Sequence, residues 1–226
     1  MLAADRPSPN RNGRRGRPLD LVVLHFTGMP SAEAALQRLT DPAAEVSAHY
    51  LIEEDGRPWR LVPEAARAWH AGRAFWAGER DVNARSLGIE LVNPGHDWGY
   101  RDFPARQIET LARLLADLMR RHRIPRTRVV GHSDVAPLRK SDPGERFPWP
   151  LLAARGLAVH PPPRLPPLGA GRQAVAGWLA TYGYGYLEED FPAVLAAVQR
   201  RFRPRLIDGR LDGETAAIAR WLGGLS

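Results

Sequence analysis

The chain of 226 residues has no cysteine. That excludes disulfides and removes the thiolate from the possible nucleophiles and metal ligands, so a zinc site here must be built from histidine and carboxylate. No apolar run approaches the roughly 20 residues needed to span a bilayer, so no membrane span is expected. Residues 1–17 are polar and arginine-rich, without the apolar core of a secretory signal. The chain therefore reads as cytoplasmic if full length, or as an envelope protein if an export signal has been trimmed. No internal repeat is present.

What is there fits an ordinary globular protein. Hydrophobic residues at 44% and charged residues at 25% give the usual balance, and the length suits one α/β domain plus a small satellite. The net charge of +7 and a pI near 10.6 favour polyanions such as bacterial cell wall or nucleic acid. The arginines are scattered, however, with clusters only at Arg11, Arg14, Arg15, Arg17 and at Arg113, Arg120, Arg121, Arg123. A solvated surface is the better account of them, and no nucleic-acid partner is expected.

Residues 1–19 lack apolar periodicity and read as a disordered basic tail. Leu21 to Phe26 suits a strand covered on both faces, and Ser31 caps a helix with Leu36 and Leu39 inward. Runs at 49–52 and 59–62 flank Glu54-Asp55-Gly56, a hairpin signal. A strand is expected over 86–92. After Phe103-Pro104, Ile108, Leu111, Leu115 and Leu118 mark one stripe of a long helix, which Ile124-Pro125 stops before a strand that ends at His132. A short helix follows from Pro148 to about Gly156. Residues 158–170, with Pro161-Pro162-Pro163, read as a semi-rigid linker, leaving a catalytic unit over 20–157. Beyond it, 171–226 carry helices at 173–182, 191–201 and 213–222. Three such helices are marginal alone, so they should dock onto the first unit or pack around Trp178, Phe191, Phe202 and Trp221.

Two apolar runs end in histidine, Leu21 to His25 and Val129 to His132, and the loop after the second carries Lys140 and Asp142. Strand ends of α/β sheets collect functional groups, so His25, His132 and Asp142 are candidate zinc ligands with an open fourth position. Ordinary polar residues at strand ends are the competing account. Glu90, between Ile89 and Leu91, would be a general base if partly buried, or else a paired or solvent-facing glutamate. Lys140 would stabilise an oxyanion, and Arg139 beside it could assist or face solvent. Trp69-His70 before Ala71-Gly72 suits the lip of a binding cleft, while His49, His96, His122 and His160 read as structural or surface residues.

Five blocks then occur in order: Leu24-His25-Phe26-Thr27, Ser47-Ala48-His49-Tyr50-Leu51-Ile52, Arg67-Ala68-Trp69-His70-Ala71-Gly72, Ser86-Leu87-Gly88-Ile89-Glu90, and Gly131-His132-Ser133-Asp134 continuing to Arg139-Lys140-Ser141-Asp142-Pro143-Gly144. Over roughly 20–157 the chain resembles the type 2 zinc-dependent N-acetylmuramoyl-L-alanine amidases, a family related to phage T7-type lysozyme and the peptidoglycan recognition proteins. The resemblance implies a central mixed β-sheet flanked by helices, followed by a small three-helix domain. It implies one zinc ion on His25, His132 and Asp142, with Glu90 and Lys140 catalytic. Trp69, His70, Arg139 and Tyr50 would contact substrate. The family's phage relatives place a tyrosine just before the histidine of the second block, where this chain has Ala48, so no catalytic tyrosine is assigned. Residues 194–204 and 207–215 resemble a peptidoglycan-binding domain, with Val198-Gln199 where that family usually has a phenylalanine–glutamine pair. A monomer that cleaves the muramoyl–L-alanine amide of peptidoglycan or of its anhydro-muropeptides is the implied protein. A non-catalytic peptidoglycan receptor of the same fold is the alternative.

Overall fold

The computed structural model describes residues 3–225. In chain order its elements are β1 Ala4–Asp5, β2 Arg11–Gly13, β3 Leu21–Phe26, α1 Ala32–Thr40, β4 Tyr50–Ile52, β5 Pro58–Arg60, β6 Ala66–Ala68, α2 Val82–Arg85, β7 Ser86–Leu91, α3 Ala105–His122, β8 Val129–Gly131, α4 His132–Val135, α5 Trp149–Ala154, α6 Arg172–Tyr182, α7 Phe191–Phe202 and α8 Gly213–Gly223. The main sheet has the order β1-β5-β4-β7-β3-β8. Its centre is parallel, with β3 between β7 and β8, while β4 and β5 pair antiparallel. This is the mixed α/β sheet that the resemblance implies.

The all-apolar run of β3 is explained by what covers it. Val22 and Leu24, with Leu87, Ile89 and Val129, pack beneath the α3 stripe of Ile108, Leu111, Leu115 and Leu118. Leu21 and Val23, with Val130, face the other way. α1 is capped by Ser31, whose Oγ accepts the Ala34 N–H at 3.2 Å. The β4–β5 turn uses Gly56 at φ 92°, where a Cβ would stand 2.9 Å from the Arg106 carbonyl oxygen, so only glycine fits.

The N-terminal segment departs from the expected disorder. β1 pairs with β5 and β2 with β6, and Ser8, Asn10 and Arg14 are buried. Asn10 Nδ2 donates to the carbonyls of Asp41 at 2.8 Å and Val46 at 2.9 Å. Arg14 donates to those of Glu64 at 2.7 Å, Ser86 at 3.0 Å and Ala84 at 3.1 Å. Hydrogen bonds from polar side chains to the body's open carbonyls hold this arm, and apolar periodicity cannot register them.

The C-terminal helices dock rather than stand apart. Val175, Leu179, Val194, Leu195, Ile218 and Leu222 share one core with Leu21, Val23 and Val130 of the sheet. Residues 158–170 run as an extended strap, with Leu165 and Leu168 against that core and the Leu168 N–H bonded to the Gly213 carbonyl at 2.8 Å. Asp190 and Asp212 cap α7 and α8, accepting the N–H of Ala193 at 3.0 Å and of Thr215 at 2.7 Å.

Arg14→Met should leave the carbonyls at 64, 84 and 86 without their donor. A loss of about 2–3 kcal/mol is expected, read as a lower urea midpoint with unchanged slope.

Candidate active site

β3, β7 and β8 run parallel, so their carboxyl ends lie side by side, the usual place for ligands in such sheets. His25 is register partner to Glu90 across β3 and β7, and both side chains therefore face the side of Leu21 and Val23. Where β8 ends, His132 opens α4. The following loop folds back because the Ser133 N–H bonds to the Asp142 carbonyl at 2.9 Å.

The result is a triangle of donor atoms. His25 Nδ1 lies 3.0 Å from His132 Nδ1 and 3.1 Å from Asp142 Oδ2, and His132 Nδ1 lies 3.0 Å from that oxygen. All three side chains are buried. A tetrahedral ion with bonds of about 2.0–2.1 Å holds its donors about 3.3 Å apart, within a few tenths of an ångström of this triangle. The donor set fits a metal ion, and these three residues could hold one.

The back side of each ring decides whether its front nitrogen is free. His132 Nε2 meets the Ala71 carbonyl at 3.1 Å and must carry the proton. Ser86 Oγ donates to the Val82 carbonyl at 2.7 Å, so it accepts from His70 Nε2 at 3.1 Å. His70 Nδ1 is then an acceptor, and His25 Nε2 donates to it at 3.1 Å. Both Nδ1 lone pairs are left facing the triangle, the outer hydrogen bonds having fixed the tautomers.

Burial pushes the His25 imidazole down to about 4, and the neighbouring His132 adds to that, so it is neutral at pH 7 and fit to be a ligand. Burial alone would raise Asp142; charge and hydrogen bonds from the two imidazoles, which act when a facing Nδ1 carries a proton in place of a metal, outweigh it and hold the carboxyl well below its usual range. Glu90 goes the other way. Burial raises it well above an ordinary carboxylate, Asp142 adds to the rise and Lys140 opposes it. Its Oε2 is sealed from solvent and has no hydrogen-bond partner. The half-buried side chain borders a cleft of about 400 Å³ shared with His25, His132, Asp142, Trp69, Arg139 and Lys140.

Eight of the nine residues singled out from the sequence thus border one cleft. His70 is buried and also borders the cleft, but its ring nitrogens are engaged by His25 and Ser86, so its first role here is to hold His25. Arg139 donates to the carbonyls of Arg73, at 2.9 Å, and of Ala71, the same oxygen that receives His132. Tyr50 is the exception, and its expected substrate contact is corrected. It pairs in register with Ile89, not Glu90, so its ring turns to the α3 face and its hydroxyl bonds Glu64.

Three residues were not anticipated. Asn83 Oδ1 accepts the N–H groups of His70 and Ala71 at 3.1 and 2.8 Å, which sets the turn carrying Trp69 and His70. Ser86 ends the chain of hydrogen bonds behind His25. Gly88 makes room for it, since a Cβ there would sit 2.4 Å from the His70 ring. A glycine inside an otherwise apolar strand was the available signal. Composition held another: Lys140 is the only lysine in the chain. Where all other basic positions are arginine, a compact ammonium in place of a planar fork marks a distinct task.

A carboxylate kept from ionising easily, beside a three-donor metal site in a cleft, is the equipment of a hydrolase. The comparisons with known proteins make the class specific. The family model described as N-acetylmuramoyl-L-alanine amidase matches residues 15–145. The Escherichia coli (strain K12) N-acetylmuramoyl-L-alanine amidase AmiD is 36% identical, over 89% of this chain and 81% of its own length. Its solved complex with the substrate anhydro-N-acetylmuramic acid-L-Ala-D-γ-Glu-L-Lys aligns at TM-score 0.79 and 34% identity, covering 96% of this chain and 91% of that one. AmpDh3 from Pseudomonas aeruginosa aligns at TM-score 0.81 and 31% identity, covering 100% and 99%. The chain belongs to the N-acetylmuramoyl-L-alanine amidase family and is an enzyme of that family.

Gly88→Ala should push the His70 ring off His25. Metal affinity is expected to fall about 10–100-fold, the usual loss when an outer partner of a ligand is removed, with the circular dichroism spectrum unchanged. Equal affinity in a chelator competition would refute this role of the His70 chain.

Proposed function

We propose that this enzyme hydrolyses the amide between the lactyl group of N-acetylmuramic acid, or its 1,6-anhydro form, and L-alanine of the stem peptide. The observation that carries the reading is the joint presence of the three-donor triangle and the partnerless Glu90 carboxyl in one cleft. A binding-only receptor of this fold has no use for that carboxyl. The relative solved with an anhydro-muramoyl tripeptide supplies the substrate class.

His25, His132 and Asp142 would hold one zinc ion. When bound, zinc supplies Lewis acidity toward the scissile carbonyl and toward water, whose pKa falls to roughly 7. Glu90 accepts the proton that water loses as it attacks the carbonyl carbon. Burial has raised its affinity for that proton, so it can carry it and deliver it to the departing alanine nitrogen as the C–N bond breaks. The Lys140 ammonium, exposed in the cleft wall, offsets the negative charge that grows on the carbonyl oxygen. Trp69 and Arg139 flank the cleft as contacts for sugar or peptide, with His70 behind them.

Among the described residues no helix is long and apolar enough to cross a membrane. The basic surface and the resemblance of α6–α8 to a peptidoglycan-binding domain favour action on the envelope side, on wall fragments or on the polymer, and the enzyme is proposed to act there as a monomer.

The enzyme should release L-Ala-D-γ-Glu-L-Lys from the anhydro-muramoyl tripeptide, with EDTA abolishing release and Zn2+ restoring it. Digestion of intact sacculi in parallel decides between fragment and polymer. Release indifferent to EDTA, or none at all, would overturn the reading. Glu90→Gln should keep its metal and lose about 10²–10⁴-fold in kcat, whereas Asp142→Ala should lose the metal. Because Glu90 works deprotonated and burial raises its pKa, kcat/KM should rise with pH along an acid limb lying above the ordinary glutamate value of about 4.3. Lys140→Met should lower kcat roughly 10²-fold with little change in KM.

A further inference from the structure

The turn that carries His132 is gripped from behind by the C-terminal helices. Asp134, two residues further along α4, is completely buried. Its Oδ2 accepts the Gly131 N–H at 2.7 Å, which closes the turn presenting His132. The same oxygen pairs with the guanidinium of Arg201 from α7, and Oδ1 accepts the Tyr184 hydroxyl at 2.7 Å. Arg201 also donates to the Val129 carbonyl at 2.9 Å, at the start of β8. Its guanidinium stacks 4.1 Å from the Trp149 ring centre and 4.8 Å from that of Phe202. Trp149 closes in turn on Gly131, where a Cβ would meet its ring at 3.4 Å and Pro143, next to Asp142, at 2.8 Å. One buried cluster therefore holds the end of β8, the 131–134 turn and the loop of Asp142. Burial, with the Asp134 charge adding, raises Tyr184 well above an ordinary tyrosine, so its proton stays available for donation. Neither Arg201 nor Tyr184 borders the cleft.

We propose that Arg201 and Tyr184 are positioning residues for the metal centre. By fixing the Asp134 carboxylate they aim His132 Nδ1 at His25 and Asp142, which makes the C-terminal helices part of the active site's construction. A buried carboxylate tolerates no vacant partner. With one donor gone, Asp134 must turn toward another, and the Gly131 N–H that it closes moves with it. His132 follows, because it is the next residue. The proposal rests on reading His25, His132 and Asp142 as a metal site, and its test separates the two.

The experiment uses the full chain, with Zn2+ affinity from competition against a chromogenic chelator and the visible absorption of the Co2+ form. Tyr184→Phe removes a single hydroxyl and is expected to weaken Zn2+ binding about tenfold, shift the Co2+ bands and lower kcat without raising KM. Arg201→Lys keeps the charge but lacks the fork that reaches both Asp134 and Val129, and should weaken Zn2+ binding at least as much. Val175→Ala opens a cavity in the same core while leaving every hydrogen bond of Asp134 in place. It should lower the thermal midpoint and keep wild-type Zn2+ affinity. If Arg201→Lys does not fold, Tyr184→Phe decides alone. Wild-type affinity and spectrum in Tyr184→Phe, or a Val175→Ala loss as large, would overturn the proposal and leave the metal reading standing. A wild-type chain that takes up neither ion would overturn both.

Discussion

The constraint on which the structure turns is the close approach of three lone-pair donors in a buried place. His25 Nδ1, His132 Nδ1 and Asp142 Oδ2 lie within 3.1 Å of one another, and none has a proton to spare for the others once the outer nitrogens are engaged. Held together without an ion, such atoms repel. The surroundings must keep them in place, and much of the molecule answers to that need. The parallel strands bring His25 beside β8, the Ser86–His70 chain and the Ala71 carbonyl turn the rings, and Ser133 draws Asp142 inward.

The two ends of the chain take part in the same task. The N-terminal arm sends Arg14 beneath the sheet to the Ser86 carbonyl, within the segment that supports His70. The C-terminal helices send Arg201 and Tyr184 to Asp134, beside His132. Both meet the catalytic unit on its supporting side, while the cleft opens at the strand ends. Glu90 and Asp142 shift in opposite directions because their immediate neighbours differ. Asp142 lies against two imidazoles and stays ionised, whereas Glu90 has burial without a partner and holds a proton more readily.

Much of this was legible in the chain. β3, the β4–β5 hairpin, β7, α1 and α3 lie where the apolar periodicity and the turn residues place them, because each buries a face of regular spacing. The C-terminal helices also lie near their expected bounds, and aspartates at the starts of α7 and α8 accept the first free N–H groups. The N-terminal arm was misread. Asn10 and Arg14 are held by bonds to carbonyls far away in sequence, and no local pattern records those. Tyr50 was misassigned for a related reason. In a strand, one residue decides the face, and the register that pairs Tyr50 with Ile89 turns it from the cleft.

The sequence by itself determined which chemistry was possible. A chain without cysteine, with histidines closing two apolar runs and an aspartate in the loop beyond, can build a metal site only from nitrogen and oxygen, and its single lysine stands in that same loop. Tertiary structure alone decided the roles of the rest. It made His70 the partner of His25, gave Gly88 the task of leaving space for that ring, left Glu90 without a partner and joined Arg201 to Asp134. Those roles depend on distances between residues separated by tens of positions, and such distances exist only once the strands have paired and both ends of the chain have closed around them.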